Sequence, residues 1–82
     1  MKVNYVVGSL DAKASKILIM VGNSPDYYSK LYGDHISMKL SKGEVKSPYE
    51  MYLKITGEYD AVKKMAEDIF DEKDFDNMIE AS

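Results

Sequence analysis

Hydrophobic and polar residues alternate along three short stretches of this chain, which is the pattern of half-buried β-strands, and a more apolar stretch lies between the first two of them. The stretches are residues 2–8, 15–21, 35–41 and 50–56. We predict that all four form strands and turn their apolar positions toward one face of a sheet. These positions are Val3, Tyr5, Val7, Ile17, Ile19, Val21, Ile36, Met38, Leu40, Met51, Leu53 and Ile55.

Two other segments carry the signals of helices. Ser24 suits an N-cap, Pro25 suits the first helical position and Gly33 suits the C-terminal stop, so we predict a short helix over residues 25–32. After Gly57 the apolar residues recur every three or four positions, as in an amphipathic helix. They are Tyr59, Val62, Met65, Ala66, Ile69 and Phe70.

The predicted order ββαββα defines an α+β fold: a four-stranded antiparallel sheet with two helices on one face. The 82 residues are too few for two hydrophobic cores, so we expect a single domain spanning 1–82. Residues 71–82 form an acidic C-terminal extension, for which we expect a short extra helix. Its apolar residues Phe75, Met78 and Ile79 need a covering surface, either in their own chain or in a partner, and are a candidate docking segment.

Composition narrows the classes of function. The chain has no cysteine, which excludes disulfides and thiolate chemistry, and we expect a cytoplasmic protein without a signal peptide or membrane span. The net charge of −3 is unevenly distributed. Up to Gly57 the chain has eight lysines and five acidic residues, a net charge of +3. From Glu58 onward it has three lysines and nine acidic residues, a net charge of −6.

The sequence contains no recognisable pattern of catalytic residues. His35 is the only histidine, and no nucleophile or orienting carboxylate accompanies it in a recognisable pattern. No paired histidines and no calcium-loop pattern are present. We therefore expect a non-catalytic protein with no cofactor, no metal and no small-molecule substrate.

The strand phase that buries the apolar set turns the alternate residues to the opposite side of the sheet, which we call the outer face. Four apolar residues on a face without a covering layer are typical of a binding surface. We predict that Val6, Leu18, Met20 and Tyr52 form its centre and that Lys39 and Lys54 form its rim. The function would be protein–protein interaction of an inhibitor or adaptor type, with a second copy of the chain among the partners.

Two further expectations concern partners. Small size and a lysine-rich, cysteine-free composition are typical of phage or mobile-element regulators. An alternative function is binding of RNA or single-stranded nucleic acid, because such sheets combine stacking aromatic rings with basic side chains. The absence of arginine weakens this alternative. Its candidate residues are Tyr52, Lys2, Lys16, Lys39 and Lys54.

Overall fold

The computed structural model describes residues 1–42 and 49–82. It confirms the predicted class: α+β, with a four-stranded antiparallel sheet and helices packed against it. The elements along the chain are β1 (Lys2–Ser9), α1 (Ala12–Gly22), α2 (Pro25–Tyr32), β2 (Ser37–Lys42), β3 (Met51–Glu58), α3 (Tyr59–Phe70), α4 (Phe75–Met78) and β4 (Ile79–Ala81).

The strands lie in the order β2-β3-β1-β4. β1 pairs with β3 over its full length, with Tyr5 opposite Ile55 and Val6 opposite Lys54. β2 pairs with the other side of β3 and places Lys39 opposite Lys54. β4 pairs only with residues 3–5 of β1.

The prediction of a strand over residues 15–21 was wrong, because this segment lies inside α1. The side chain of Asp11 caps the helix by accepting a hydrogen bond from the Ala14 amide at 2.8 Å. Helical spacing then buries Ser15, Leu18 and Val21. As a result Ile17, which was expected inside, is 41% exposed, whereas Leu18, which was expected outside, is 3% exposed.

The fourth strand comes instead from the acidic extension, as β4. The order along the chain is therefore βααββααβ and differs from the predicted ββαββα by this exchange. The helices predicted over residues 25–32 and from Tyr59 to Phe70 are both present. Gly33 ends α2 with a φ of 70°, in the left-handed region that glycine adopts without a steric penalty.

The core lies between one face of the sheet and the helices α1 and α3. The predicted phase of β1 and β3 is confirmed, since Val3, Tyr5, Leu53 and Ile55 are buried. The phase of β2 is confirmed too, because Met38 and Leu40 lie opposite Ile55 and Leu53 and pack against the core. α1 and α3 complete the core from the other side with Leu18, Val21, Val62, Met65 and Ala66.

The C-terminal extension folds back onto its own chain. Phe75 is 3% exposed, and its ring centroid lies 5.5 Å from those of both Tyr5 and Tyr59. Ile79 pairs with Tyr5 in the sheet, while Met78 is 48% exposed. Of the three predicted docking residues, two therefore serve the fold and only Met78 remains at the surface.

Tyr5 links the core to this extension, and its surroundings predict that the stability of the fold depends on pH. Its hydroxyl donates a hydrogen bond of 2.6 Å to Glu72. Burial, together with the hydrogen bond and negative charge of Glu72, raises the pKa of Tyr5 above its ordinary value of 10.0. The folded state therefore holds this proton more strongly than the unfolded state does, so the stabilisation is complete below pH 10 and is lost as the pH rises further.

We expect the free energy of unfolding to fall above pH 10, with Tyr5 contributing a slope of up to about 1.4 kcal/mol per pH unit. Tyr5→Phe removes the titrating group and should flatten this fall, at a cost of about 1 kcal/mol at neutral pH for the lost hydrogen bond. Urea unfolding of both proteins between pH 8 and pH 11 measures the difference. Identical slopes would show that Tyr5 does not titrate differently in the folded state.

Candidate functional site: the outer face of the sheet

The outer face carries its side chains in rows fixed by the strand register. The middle row runs from Val6 on β1 through Lys54 on β3 to Lys39 on β2. The next row contains Tyr52 and Ser41. These five residues line a shallow groove of about 290 Å³. Among residues 1–42 and 49–82 no helix covers this face, because α1 and α3 pack on the opposite one.

Two lysines meet in the middle of this surface. Lys39 and Lys54 are direct cross-strand neighbours, and both side chains are exposed. Like charges placed directly opposite each other destabilise a sheet. No carboxylate of the described part of the chain forms an ion pair with either lysine. An acidic group from a partner would relieve this repulsion, so the pair is suited to an anionic ligand surface.

An aromatic pair lies beside the lysines. The rings of Tyr49 and Tyr52 are 5.3 Å apart at an angle of 60°. Tyr49 rests against β1 at Gly8, where a Cβ atom would lie only 2.6 Å from the Tyr49 Cδ1 atom. Glycine at position 8 therefore makes room for the ring. Tyr49 remains 39% exposed and enlarges the apolar part of the surface around Val6.

The far end of the outer face is polar and internally paired. Thr56 donates a hydrogen bond of 2.6 Å to the Asn4 side chain. In the last row Lys2 lies opposite Glu58. The Glu58 carboxylate accepts a hydrogen bond from the amino group of Met1 at 2.6 Å. This end offers less unbalanced positive charge than the row of Lys39 and Lys54, so the candidate site is concentrated around that row.

The structure brings together four of the six predicted partner-binding residues: Val6, Tyr52, Lys39 and Lys54. The predicted place of Leu18 on the outer face was wrong, because helical spacing buries it in the core. Met20 is exposed, but it lies on α1, on the other side of the sheet. The site thus loses two of its four predicted apolar anchors.

The residues predicted for nucleic-acid binding do not all lie on one surface. Lys16 lies on α1 and points into solvent on the helical side of the molecule, away from Lys39 and Lys54. Lys2 stays on the outer face but two rows away from Lys54. Tyr49 was not among the residues predicted for the outer face. The glycine inside β1 was the signal for it, since such a glycine often marks a close approach by another group.

Other parts of the described chain show no organised chemical centre. No group of three or more histidine, aspartate or glutamate side chains within residues 1–42 and 49–82 is placed to hold a metal ion. No helix in the same ranges is long and apolar enough to cross a bilayer. A groove of about 490 Å³ lies between α2 and α3, where the Tyr32 hydroxyl donates a hydrogen bond to Asp68 at 3.2 Å.

Comparison with models of protein families, with curated proteins and with solved structures finds no match to this chain. The outer face is the feature of the described residues that bears on function, because it combines an aromatic pair, an exposed valine and two adjacent lysines.

Proposed function

We propose that this protein is a small, non-catalytic binding protein that acts through protein–protein interaction on the outer face of its sheet. The observation that carries the proposal is the Tyr49–Tyr52 pair beside Lys39 and Lys54, which form no ion pair with the described residues 1–42 and 49–82. Tyrosine is enriched at the centre of protein interfaces, and lysine is tolerated at their rims. Val6, which is 42% exposed, completes the apolar centre.

The charge of the face favours an acidic partner. Two lysines that repel each other across a strand pair gain most from a carboxylate placed between or above them, so we propose a protein partner with acidic residues around an apolar site. A second copy of the chain would supply such residues from its acidic C-terminal half. We propose an inhibitor or adaptor role in the cytoplasm, consistent with the absence of cysteine.

A pair of matched double variants tests this proposal. Tyr52→Asp with Lys54→Glu changes the outer face, while Tyr27→Asp with Lys30→Glu makes the same changes at exposed positions of α2, on the other side of the molecule. Purified tagged proteins are incubated with cytoplasmic extract of the source cells, and bound proteins are quantified by mass spectrometry. We expect a protein bound by the wild type to fall at least tenfold with the outer-face variant and to remain with the α2 variant.

Light scattering after size-exclusion chromatography of the same three proteins tests whether the partner is a second copy of the chain. A dimer that is present in the wild type and in the α2 variant, but absent in the outer-face variant, would identify the chain itself as the partner. If neither an extract protein nor a second copy distinguishes the two variants, the proposal is wrong.

A second candidate function is binding of single-stranded RNA, and one specific observation favours it: two aromatic rings lie next to two adjacent lysines. Two neutralised phosphates on a single strand give a salt slope of about −1.4, so affinity should fall roughly sevenfold between 50 mM and 200 mM salt. Fluorescence anisotropy with a labelled single-stranded RNA measures this. Binding that follows this slope and disappears with Lys39→Glu/Lys54→Glu would replace the protein-binding proposal.

A further inference from the structure

The strand β1 has an edge that its own sheet leaves partly unpaired. β3 pairs with all of β1, but β4 covers only residues 3–5 on the other side. Beyond Tyr5 the chain that would continue β4 is instead the short helix α4, which ends at Met78. No strand of the described residues therefore pairs with Val6–Ser9 on this side, and we call this stretch the β1 edge.

The backbone directions show which groups the β1 edge presents. The carbonyl oxygen of Lys2 accepts from the Ser82 amide on the β4 side at 3.1 Å, whereas the carbonyl oxygen of Ser9 accepts from Glu50 on the β3 side at 2.6 Å. Successive residues of a strand direct their N–H and C=O groups to alternate sides. The backbone groups of Val6 and Gly8 consequently point to the unpaired side, in position to bind an extended chain.

Apolar grooves flank the β1 edge on both faces of the sheet. On the outer face, a groove of about 320 Å³ is lined by Val6, Tyr49 and Met78, among others. On the helical face, a groove of about 120 Å³ is lined by residues that include Ile17 and Phe70. Side chains of an added strand point alternately to the two faces, so both grooves would receive them.

The charge at one end of the β1 edge is negative. Glu72 lines the outer-face groove, and its carboxylate accepts the Tyr5 hydroxyl at 2.6 Å. Residues 71–76 carry four acids and one lysine, a balance of −3. The single lysine, Lys73, is already paired with Asp71 at 2.9 Å. A strand with a lysine or arginine at this end would complement the excess acid.

From these observations we propose that the β1 edge is a strand-addition site for an extended segment of a partner protein. The segment bonds to the backbone of Val6 and Gly8 and places a small aliphatic side chain in the groove at Ile17. A larger apolar side chain occupies the groove at Tyr49 and Met78, and a basic residue lies next to Glu72. This site shares Val6 and Tyr49 with the apolar centre of the outer face but does not include Lys39 or Lys54, so it does not require the proposed function to be correct.

Peptide selection tests the proposal with a defined probe. A phage-displayed library of random 12-residue peptides is selected on immobilised wild-type protein, and enriched peptides are synthesised. Their affinity is then measured for Ile17→Lys and for Met20→Lys. Both changes introduce lysine at an exposed apolar position of α1, but only the first lies in the groove. We expect Ile17→Lys to weaken binding at least tenfold and Met20→Lys to leave it unchanged.

Two further measurements distinguish this site from the pair of Lys39 and Lys54 and provide evidence that does not depend on a single variant. Hydrogen exchange of the wild type, followed by NMR, should show slower exchange at the amides of Val6 and Gly8 when peptide is bound. Lys39→Glu/Lys54→Glu should bind the peptide as the wild type does. The proposal is wrong if no peptide is enriched, if Ile17→Lys and Met20→Lys bind equally, or if the exchange of Val6 and Gly8 is unchanged.

Discussion

Leu18→Ala is expected to lower the free energy of unfolding by about 2–5 kcal/mol, a large part of the total stability of a domain of this size. Leu18 is 3% exposed and belongs to the core between α1 and the sheet. Truncation removes buried apolar surface and leaves a cavity that the packed neighbours cannot fill. Urea unfolding monitored by circular dichroism measures the loss.

Met20→Ala is the matched control on the same helix. Met20 is 63% exposed, so its truncation should change the free energy of unfolding by no more than about 0.5 kcal/mol. The contrast distinguishes a helix from a strand over this segment. In an alternating strand, Leu18 and Met20 would lie on the same face and have similar effects, so equal losses would contradict the placement of Leu18 in the core.

Phe75→Ala is expected to cost about 3–5 kcal/mol and to release the C-terminal segment from the sheet. Phe75 fills the space between Tyr5 and Tyr59, and it directly precedes the residues that lead into β4. Because β4 contributes only three paired residues, its attachment depends on this buried ring. Both urea unfolding and limited proteolysis near the C-terminus should report the change.

Met78→Ala removes an apolar side chain from the same short helix, α4, but from an exposed position. It should leave stability within about 0.5 kcal/mol of the wild type and should not increase cleavage near the C-terminus. A Phe75→Ala protein as stable as Met78→Ala would show that the extension does not pack on its own core, and would return Phe75 to the set of docking residues.

The sequence predicted the strands β1 and β3 well because every second residue over most of each strand is apolar. Their buried residues, such as Tyr5 and Ile55, and their outward residues, such as Val6 and Lys54, follow from this alternation alone. The helix from Tyr59 to Phe70 was predictable for a similar reason, since its apolar residues recur only at helical spacing.

The segment over residues 15–21 was not predictable in the same way, because all five positions from 17 to 21 are apolar. A continuous apolar run of this length fits a strand as well as a buried helix. Asp11, which suits an N-cap and caps α1 in the structure, was the weaker signal in favour of a helix.

The residues of the candidate site that follow from the alternation of a strand were predicted correctly. The features that depend on which strands pair with each other were not predicted. Lys39, Lys54 and Tyr52 follow from alternation, whereas Leu18 and Met20 were assigned to the outer face together with the wrong strand. The unpaired edge of β1 exists because β4 is only three residues long. No local pattern in a three-residue strand indicates which neighbour it pairs with or where it stops.

Site-specific photo-crosslinking tests the central claim, that the outer face binds a protein partner, most directly. Benzoylphenylalanine replaces Tyr52 on the outer face in one protein and Tyr27, which is 62% exposed on α2, in the other. Both proteins are produced in the source cells and irradiated there. We predict a protein adduct at position 52 and none at position 27. An adduct at position 27 alone, or an adduct of RNA at position 52, would contradict the claim.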